Sequence, residues 1–146
     1  MKQRLMLTVW TALWIALAAV RGADDGALRA SKPEVRKEVV AIIEAQLGAF
    51  RAKDSTKAYS YSAAAMQQQM RLRAFVAVVQ NNYPEIWANT RAEFGLVRDD
   101  GARATVLVHV FSTEGDAAYD YVLFKERAGW RIGSVLRHDP RGTDKV

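Results

Sequence analysis

The chain contains no cysteine and only two histidines, His109 and His138, in 146 residues. Without cysteine it has no disulfide, no thiol nucleophile, no Cys-based zinc site and no lipidated cysteine anchor. Two histidines are too few for a multi-histidine metal site. The sequence also lacks a phosphate-cradling glycine loop and a nucleophile elbow. We therefore predict neither a metal nor a cofactor.

Positive charge is in small excess, with 21 basic and 16 acidic residues and a net charge of +5. Three of the basic residues, Lys2, Arg4 and Arg21, lie in the N-terminal segment. From Ala23 onward 18 basic residues face 16 acidic ones, so the remaining charge is about +2. Both signs are interspersed and no basic stripe forms, which argues against a nucleic-acid partner.

The first 22 residues have the layout of a secretory signal peptide. Residues 1–4 are positively charged, residues 5–20 carry no charge, and Val20-Arg21-Gly22 resembles a signal-peptidase site. An uncharged stretch of this length falls short of the roughly 20 residues that span a membrane. We therefore favour a periplasmic or secreted protein that leaves the membrane after cleavage; the alternative is a retained N-terminal membrane anchor.

The domain organisation predicted after the leader is simple. Residues 23–30 are a flexible lead-in, residues 31–138 a single domain and residues 139–146 a C-terminal tail. No internal repeat or second domain is visible. A core sufficient for one domain is available, since half of the residues are hydrophobic.

Apolar periodicity predicts about three helices in the N-terminal half. Ser31-Lys32-Pro33-Glu34 has the capping-box pattern, and helical spacing of apolar residues follows over 32–52. Asp54 is a suitable N-cap for a short second helix. Residues 63–69 indicate a turn or weak helix, and residues 71–82 a third helix that ends before Pro84.

The C-terminal half has the alternation and the turns of an antiparallel sheet. A strand over 91–98 precedes a three-strand meander over 104–136, in which each apolar run is bounded by glycine-containing turns. The sequence thus predicts an α+β, cone-shaped domain with about three N-terminal helices packed on one face of a curved antiparallel sheet.

Strand register decides which side chains share a face. A turn at Glu114-Gly115 sets His109 opposite Asp120, and a three-residue loop over 127–129 sets Phe124 on the same face as Trp130. We expect this bulkier face to receive the helices. The opposite face is also apolar and would be left uncovered, which predicts a homodimer through the sheet. Its residues are Val106, Val108, Val110, Tyr119 and Tyr121.

The predicted His109–Asp120 pair is where chemistry is most plausible. A carboxylate among apolar side chains is desolvated, which favours Asp120 as a general base, with His109 to orient it or relay a proton. The alternative is a purely structural cross-strand hydrogen bond. We expect a pocket on this side of the sheet, lined by aromatic side chains: Tyr59, Tyr83, Phe111, Phe124 and Trp130.

Several stretches carry a family resemblance. They are the run from Ala45 to Asp54, the Ala58-Tyr59-Ser60-Tyr61-Ser62 run, the segment from Phe75 to Pro84 and Gly129-Trp130-Arg131-Ile132. The predicted layout, three helices followed by a curved antiparallel sheet that ends in a Gly-Trp-Arg-Ile strand, resembles the nuclear-transport-factor-2-like superfamily, also called SnoaL-like or ketosteroid-isomerase-like. The local stretches resemble an uncharacterised bacterial branch of it, domain of unknown function 4864.

The resemblance implies an exported α+β cone without implying a reaction. We favour non-catalytic binding of a small apolar ligand or a protein partner in the cell envelope. The alternative is an isomerase, dehydratase or hydrolase that uses Asp120 as its general base.

Overall fold

The computed structural model describes residues 28–139, so the predicted leader, most of the lead-in and residues 140–146 lie outside the described residues. This part of the chain forms an α+β domain, and the predicted fold class is confirmed. The helices are α1 (Pro33–Arg51), α2 (Ser55–Ser60), α3 (Ala64–Gln69), α4 (Leu72–Asn82) and α5 (Pro84–Trp87). The strands are β1 (Arg29–Ala30), β2 (Asn89–Phe94), β3 (Arg98–Asp99), β4 (Arg103–Ser112), β5 (Gly115–Glu126) and β6 (Gly129–Arg137).

Helix α1 follows its predicted span, but its N-terminus differs from the predicted capping box. Lys32 is the N-cap residue, and no side chain caps the helix there. Ser31 instead donates its hydroxyl hydrogen to Asp99, which begins the link from the lead-in to β3. Pro33 still fits the first turn because its missing N–H has no partner to lose at that position.

The short helices after α1 depend on local polar contacts. Asp54 caps α2 as predicted, because its Oδ1 accepts from Lys57 N at 3.1 Å. Asn89 then ties three elements together. Its amide donates to Leu47 O and Ile86 O, and its Oδ1 accepts from Arg51 at 2.6 Å. These bonds fix α5, which the sequence did not predict, between α1 and the sheet.

The sheet has the order β1-β3-β4-β5-β6, and its strands pair antiparallel. Strands β2 and β3 share one edge of β4, where β3 pairs with the N-terminal part and β2 with the C-terminal part. β1 comes from the predicted lead-in, where Arg29 and Ala30 pair with β3. At the opposite edge, Ile132 bonds to the segment between α2 and α3 through Tyr61 O and Ala63 N, each at 2.8 Å. The helical layer is therefore fixed to β6 by main-chain bonds.

The predicted register of the first hairpin is wrong by two residues. Ser112 pairs with Gly115, so the loop is Thr113-Glu114, one residue earlier than predicted. Ser112 Oγ stabilises this loop by accepting from Glu114 N and donating to Gly115 O. A shift of two residues keeps the same side chains on each face but changes every partner. His109 is consequently opposite Ala118.

The second hairpin also departs from prediction, in its loop and in a bulge. Its loop has two residues, so Lys125 pairs with Trp130 and Leu123 with Ile132. Gly133 is then an extra residue that restores the alternation before Ser134. Trp130 and Ile132 therefore point to the side opposite Phe124, which corrects the predicted grouping of Phe124 with Trp130.

The helices cover the face predicted to be exposed. The inner face, which we define as the helix-facing side of β4–β6, buries Tyr119, Tyr121 and Leu123 completely. The five residues predicted to form the dimer contact all lie in this core: Val106, Val108, Val110, Tyr119 and Tyr121. They are thus not available to a partner subunit, although the homodimer itself stays a prediction. The size of the side chains did not predict which face the helices cover. The inner face has no ionisable group except tyrosine near its centre, whereas burying the other face would desolvate His109 and Asp120.

Candidate functional site

The structure does not bring His109 and Asp120 together. The His109 ring stacks on Phe111, with centroids 5.1 Å apart, and both lie on the outer face, the side of β4–β6 away from the helices. Asp120 Oδ2 lies 2.9 Å from His138 Nδ1. A histidine–aspartate pair thus exists, but with a different histidine, and both of its side chains are substantially exposed.

Water has access to this pair, and apolar side chains do not enclose it. An open groove of about 650 Å³ beside it is lined by His109, Arg137 and His138 together with Asp116 and Asp139. The groove therefore combines both signs of charge. It lacks the desolvated surroundings on which the general-base interpretation of Asp120 depended.

The five aromatic residues expected to line a pocket occupy four different environments. Tyr83 lines an interior cavity. Tyr59 lies beside that region and donates its hydroxyl hydrogen to the carbonyl at the C-terminal end of α3, at 2.7 Å. Trp130 is buried in the core, and Phe111 and Phe124 are on the outer face. The structure thus brings only Tyr83 to the cavity.

A buried acid cluster joins α5 to the last two strands. Glu85 is buried, and its carboxylate accepts from Tyr119 OH at 2.5 Å and from Arg137 Nη2 at 2.7 Å. Burial raises the pKa of Glu85, but hydrogen bonds from Tyr119, its own backbone and Arg137 outweigh it, so the net pKa is lowered. Glu85 is therefore held as a carboxylate.

The same contacts act in the opposite direction on Tyr119. Burial raises the pKa of its phenol, and the hydrogen bond to Glu85 raises it further. The pKa of Arg137 is also raised, first by its hydrogen bond to Glu85. Sequence reasoning missed this cluster, because Glu85 lies in the first turn of a helix that the sequence did not predict. The only available signal was Glu85 within the apolar Pro84-Glu85-Ile86-Trp87 run.

Tyr121 contrasts with Tyr119, its neighbour on the inner face. Its side chain is completely buried, and its hydroxyl has no hydrogen-bond partner within residues 28–139. Burial raises the pKa of this phenol, and Tyr119 and Tyr83 add to the effect. An unpaired buried hydroxyl costs roughly 1–3 kcal/mol, so Tyr121 lowers the stability of the fold relative to a paired group.

An apolar cavity lies between α1, α3 and α4 and the adjoining part of β6. Its volume is about 80 Å³, and it is partly open. This is about half the roughly 150 Å³ of an apolar cavity that accepts benzene, but several times the space that one water needs. The lining carries no charged side chain and includes Gln46, Phe50, Met66, Met70, Val79 and Tyr83.

Gln46 is the polar side chain that faces this cavity from α1. It is 4% exposed, and its Nε2 donates to Ala58 O at 3.1 Å. No group in the described part of the chain donates to its Oε1. Two side-chain polar atoms in the described range are fully buried and have no hydrogen-bond partner. They are Ser62 Oγ and Tyr121 OH. Gln46 Oε1 is not one of them, and Gln46 is among the residues that line the cavity.

The outer face exposes large apolar side chains. Of the four such residues exposed within residues 28–139, three lie on this face: Leu107 and Phe124, each 40% exposed, and Leu136, 63% exposed. Leu107 and Leu136 flank Asp120 directly, one on each neighbouring strand. The Phe124 ring covers Gly133, where an added Cβ would lie 2.1 Å from a ring carbon. We call Leu107, Phe124 and Leu136 the outer patch.

Residues 28–139 contain neither a cluster suited to a metal ion nor a helix suited to span a membrane. Residues 28–139 contain no group of three or more histidine, aspartate or glutamate side chains placed to hold a metal ion. No helix in that range is long and apolar enough to cross a membrane.

Comparison with known proteins places the chain in a family. No curated protein and no solved structure matches the sequence. The model of one family, described as a domain of unknown function, matches residues 32–144, which include all five helices and five of the six strands. The protein therefore belongs to the DUF4864 family.

Proposed function

We propose that the protein is an exported, non-catalytic binding domain that holds a small apolar ligand in the cavity beneath α3. The observation that carries this proposal is the cavity itself, which has an uncharged, mainly apolar lining and a partial opening. Ligand sites have this character, with a few polar groups set in an apolar wall. Export rests on the predicted signal peptide, and membership of the nuclear-transport-factor-2-like superfamily rests on the sequence resemblance.

The cavity is small, but two methionines in its wall allow it to widen. Met66 and Met70 both contact it, and methionine side chains adapt readily because they are unbranched and flexible. Helix α3 buries none of its own residues. Displacing this helix would expose little apolar surface but would break the hydrogen bonds that Tyr59 and Gln67 form with each other's segments, so a ligand larger than about 80 Å³ gains room mainly by movement of the two methionine side chains.

Native mass spectrometry of protein purified from its own host tests the proposal. We expect a co-purifying small molecule on the wild type and its loss from Val79→Phe, because Val79 lines the cavity and an added ring would fill it. Ala77→Phe is the matched control, since Ala77 is exposed on the same helix. Equal spectra for the two variants, or no bound molecule on the wild type, would contradict the proposal.

A second candidate function is protein binding through the outer patch, with a second copy of this chain as the partner. Apolar patches on soluble domains commonly mark interfaces. Leu107, Phe124 and Leu136 occupy three adjacent strands, so one flat partner surface can contact all three. This proposal keeps the predicted homodimer and transfers it to the opposite face of the sheet.

Sedimentation equilibrium at micromolar concentration tests this second candidate. A dimer is expected for the wild type and a monomer for Leu136→Lys, which introduces a charge into the patch. Leu96→Lys is the control, because Leu96 is also exposed but lies outside β4–β6. A monomeric wild type refutes self-association and leaves the ligand proposal intact.

The enzyme alternative has less support. It requires Asp120 in a water-excluded site, whereas this residue stands beside an open groove and bonds to His138. An activity lost in Asp120→Asn without a change in melting temperature would revive it.

A further inference from the structure

We infer that the ligand of the cavity is a neutral molecule with an apolar body and one hydroxyl, which donates its hydrogen bond to Gln46 Oε1. This inference rests on the proposed function and adds the chemical class of the ligand. It depends on the orientation of one amide, on its unused acceptor and on the absence of charge around it.

The orientation of the Gln46 amide follows from its neighbour. Ala58 O can only accept hydrogen bonds, and it lies 3.1 Å from the Gln46 amide nitrogen. The donor end of the amide must therefore face Ala58, because an oxygen there would repel the carbonyl. Oε1 consequently points away from α2 and toward the cavity that Gln46 lines.

The unused acceptor is unusual for so buried a side chain. Buried polar atoms in folded proteins nearly always have a partner, and an unpaired one costs free energy. Gln46 is 4% exposed, and its Oε1 accepts no hydrogen bond from residues 28–139. A glutamine used only to bind Ala58 O would leave its other end unsatisfied. Because the cavity is partly open and has room for water, a water molecule can occupy this acceptor in the free protein, and a ligand donor takes its place.

The other residues of the cavity wall restrict which chemical group of the ligand can donate to Gln46. The Tyr83 hydroxyl, also in the lining, already donates to Val135 O at 2.8 Å. No lining residue carries a charge, so an ammonium group would enter without a counterion, which is costly. A neutral hydroxyl on an aliphatic or aromatic body satisfies Gln46 without that cost.

Phenol and toluene are suitable probes because they have nearly the same shape and differ by a hydroxyl in place of a methyl. Toluene leaves water more readily, so a purely apolar cavity prefers it. An available acceptor reverses this preference. We expect phenol to bind the wild type about two- to tenfold more tightly than toluene, the range of one net hydrogen bond.

Methyl NMR of protein with ¹³C-labelled methionine methyl groups reads out binding at the cavity. The chain has four methionines, and Met66 and Met70 line the cavity, so leucine substitutions at these two positions assign their signals. Both signals should move as phenol is added to the full-length protein. In Gln46→Met, which keeps the length of the side chain and removes both polar atoms, phenol should bind about tenfold more weakly and toluene unchanged.

The outcomes separate this inference from the proposed function. If toluene binds the wild type more tightly than phenol, and Gln46→Met leaves that ratio unchanged, the hydroxyl inference is wrong while the cavity remains a ligand site. If neither probe moves the Met66 and Met70 signals, both proposals fail. If Gln46→Met does not fold, the Gln46 side-chain amide signal of the wild type decides, because a hydrogen bond to Oε1 must move its amide nitrogen signal downfield with phenol beyond the ring-current shift that toluene also causes.

Discussion

The two faces of the β4–β6 meander bury similar side chains to very different degrees. On the inner face Tyr119, Tyr121 and Leu123 are inaccessible to solvent, whereas on the outer face Leu107 and Leu136 are exposed. Both faces read as apolar in the sequence. The difference between them lies in their polar groups: tyrosines on the inner face, and His109 and Asp120 on the outer one. Groups that need water remain on the side where water is available.

The comparison also shows two ways of handling a polar group. The inner face pairs Tyr119 with Glu85 and leaves the Tyr121 hydroxyl without a partner among residues 28–139. On the outer face Asp120 bonds to His138 with solvent nearby. A polar contact on the inner face should therefore affect stability far more than one on the outer face.

The sharpest test of this comparison substitutes one leucine on each face. Leu123→Ala removes a completely buried side chain and should lower the free energy of unfolding by about 2–5 kcal/mol. Leu136→Ala truncates a side chain that is mostly exposed, and about 0.5 kcal/mol or less is expected. Urea denaturation of both variants measures the difference. Equal losses would mean that the outer patch is buried in solution, as in a dimer.

A glutamate substitution on each side tests the polar groups in the same way. Glu85→Gln should cost about 1–3 kcal/mol, because it removes the carboxylate that pairs with Tyr119 and Arg137. Glu93→Gln breaks only an exposed ion pair with Arg91 and should change stability by about 0.5 kcal/mol or less. Thermal unfolding monitored by circular dichroism compares the two, and a larger loss for Glu93→Gln would contradict this account of the cluster.

The acid cluster also predicts a pH dependence. The folded-state pKa of Glu85 is lowered below its ordinary value of 4.5, so its stabilisation is complete above about pH 4.5 and is lost as pH falls through the folded-state pKa. The stability difference between wild type and Glu85→Gln should therefore be constant near neutral pH and shrink as the pH falls below about 4.5. A difference that stays constant down to pH 3 would show that the carboxylate charge contributes nothing.

Two tyrosine substitutions should have opposite signs. Tyr121→Phe removes a hydroxyl without a partner in the described residues and should be neutral or stabilising by about 1 kcal/mol. Tyr119→Phe takes a donor from Glu85 and should destabilise by about 1 kcal/mol or more. Melting temperatures of both variants decide. Marked destabilisation by Tyr121→Phe would indicate that its hydroxyl has a partner in solution, such as an ordered water.

The smallest effect is expected at the outer histidine–aspartate pair. Asp120→Asn should change the free energy of unfolding by about 0.5 kcal/mol or less, because both partners are substantially exposed. Thermal unfolding near neutral pH checks this, with His138→Gln as the matched variant. A loss above about 1 kcal/mol would show that the pair is more enclosed than its exposure indicates.

The elements of the fold were largely predictable, because each is a local pattern. The periodicity of α1, the Asp54 cap and the strand alternation all appear in the sequence, and the structure confirms them. Register was not predictable to the same degree. A single serine hydroxyl, that of Ser112, stabilises the loop one residue earlier than expected, and every cross-strand partner changes with it.

The candidate site was less predictable because it depends on long-range contacts. Glu85, Tyr119 and Arg137 are up to 52 positions apart, and no spacing rule connects them. In the sequence Gln46 is one polar residue within an amphipathic helix, and only its hydrogen bond to Ala58 reveals the unused acceptor. Sequence patterns indicate which faces are apolar. They do not indicate which polar atom is left without a partner.

Gly133 and Phe124 have a consequence for how this surface can evolve. The ring occupies the space that any side chain at position 133 would need, so a larger residue there must first displace it. The two positions are therefore expected to change together among relatives. A relative that gains a side chain at 133 should carry a smaller residue at 124, and with that exchange the shape of its outer patch would change as well.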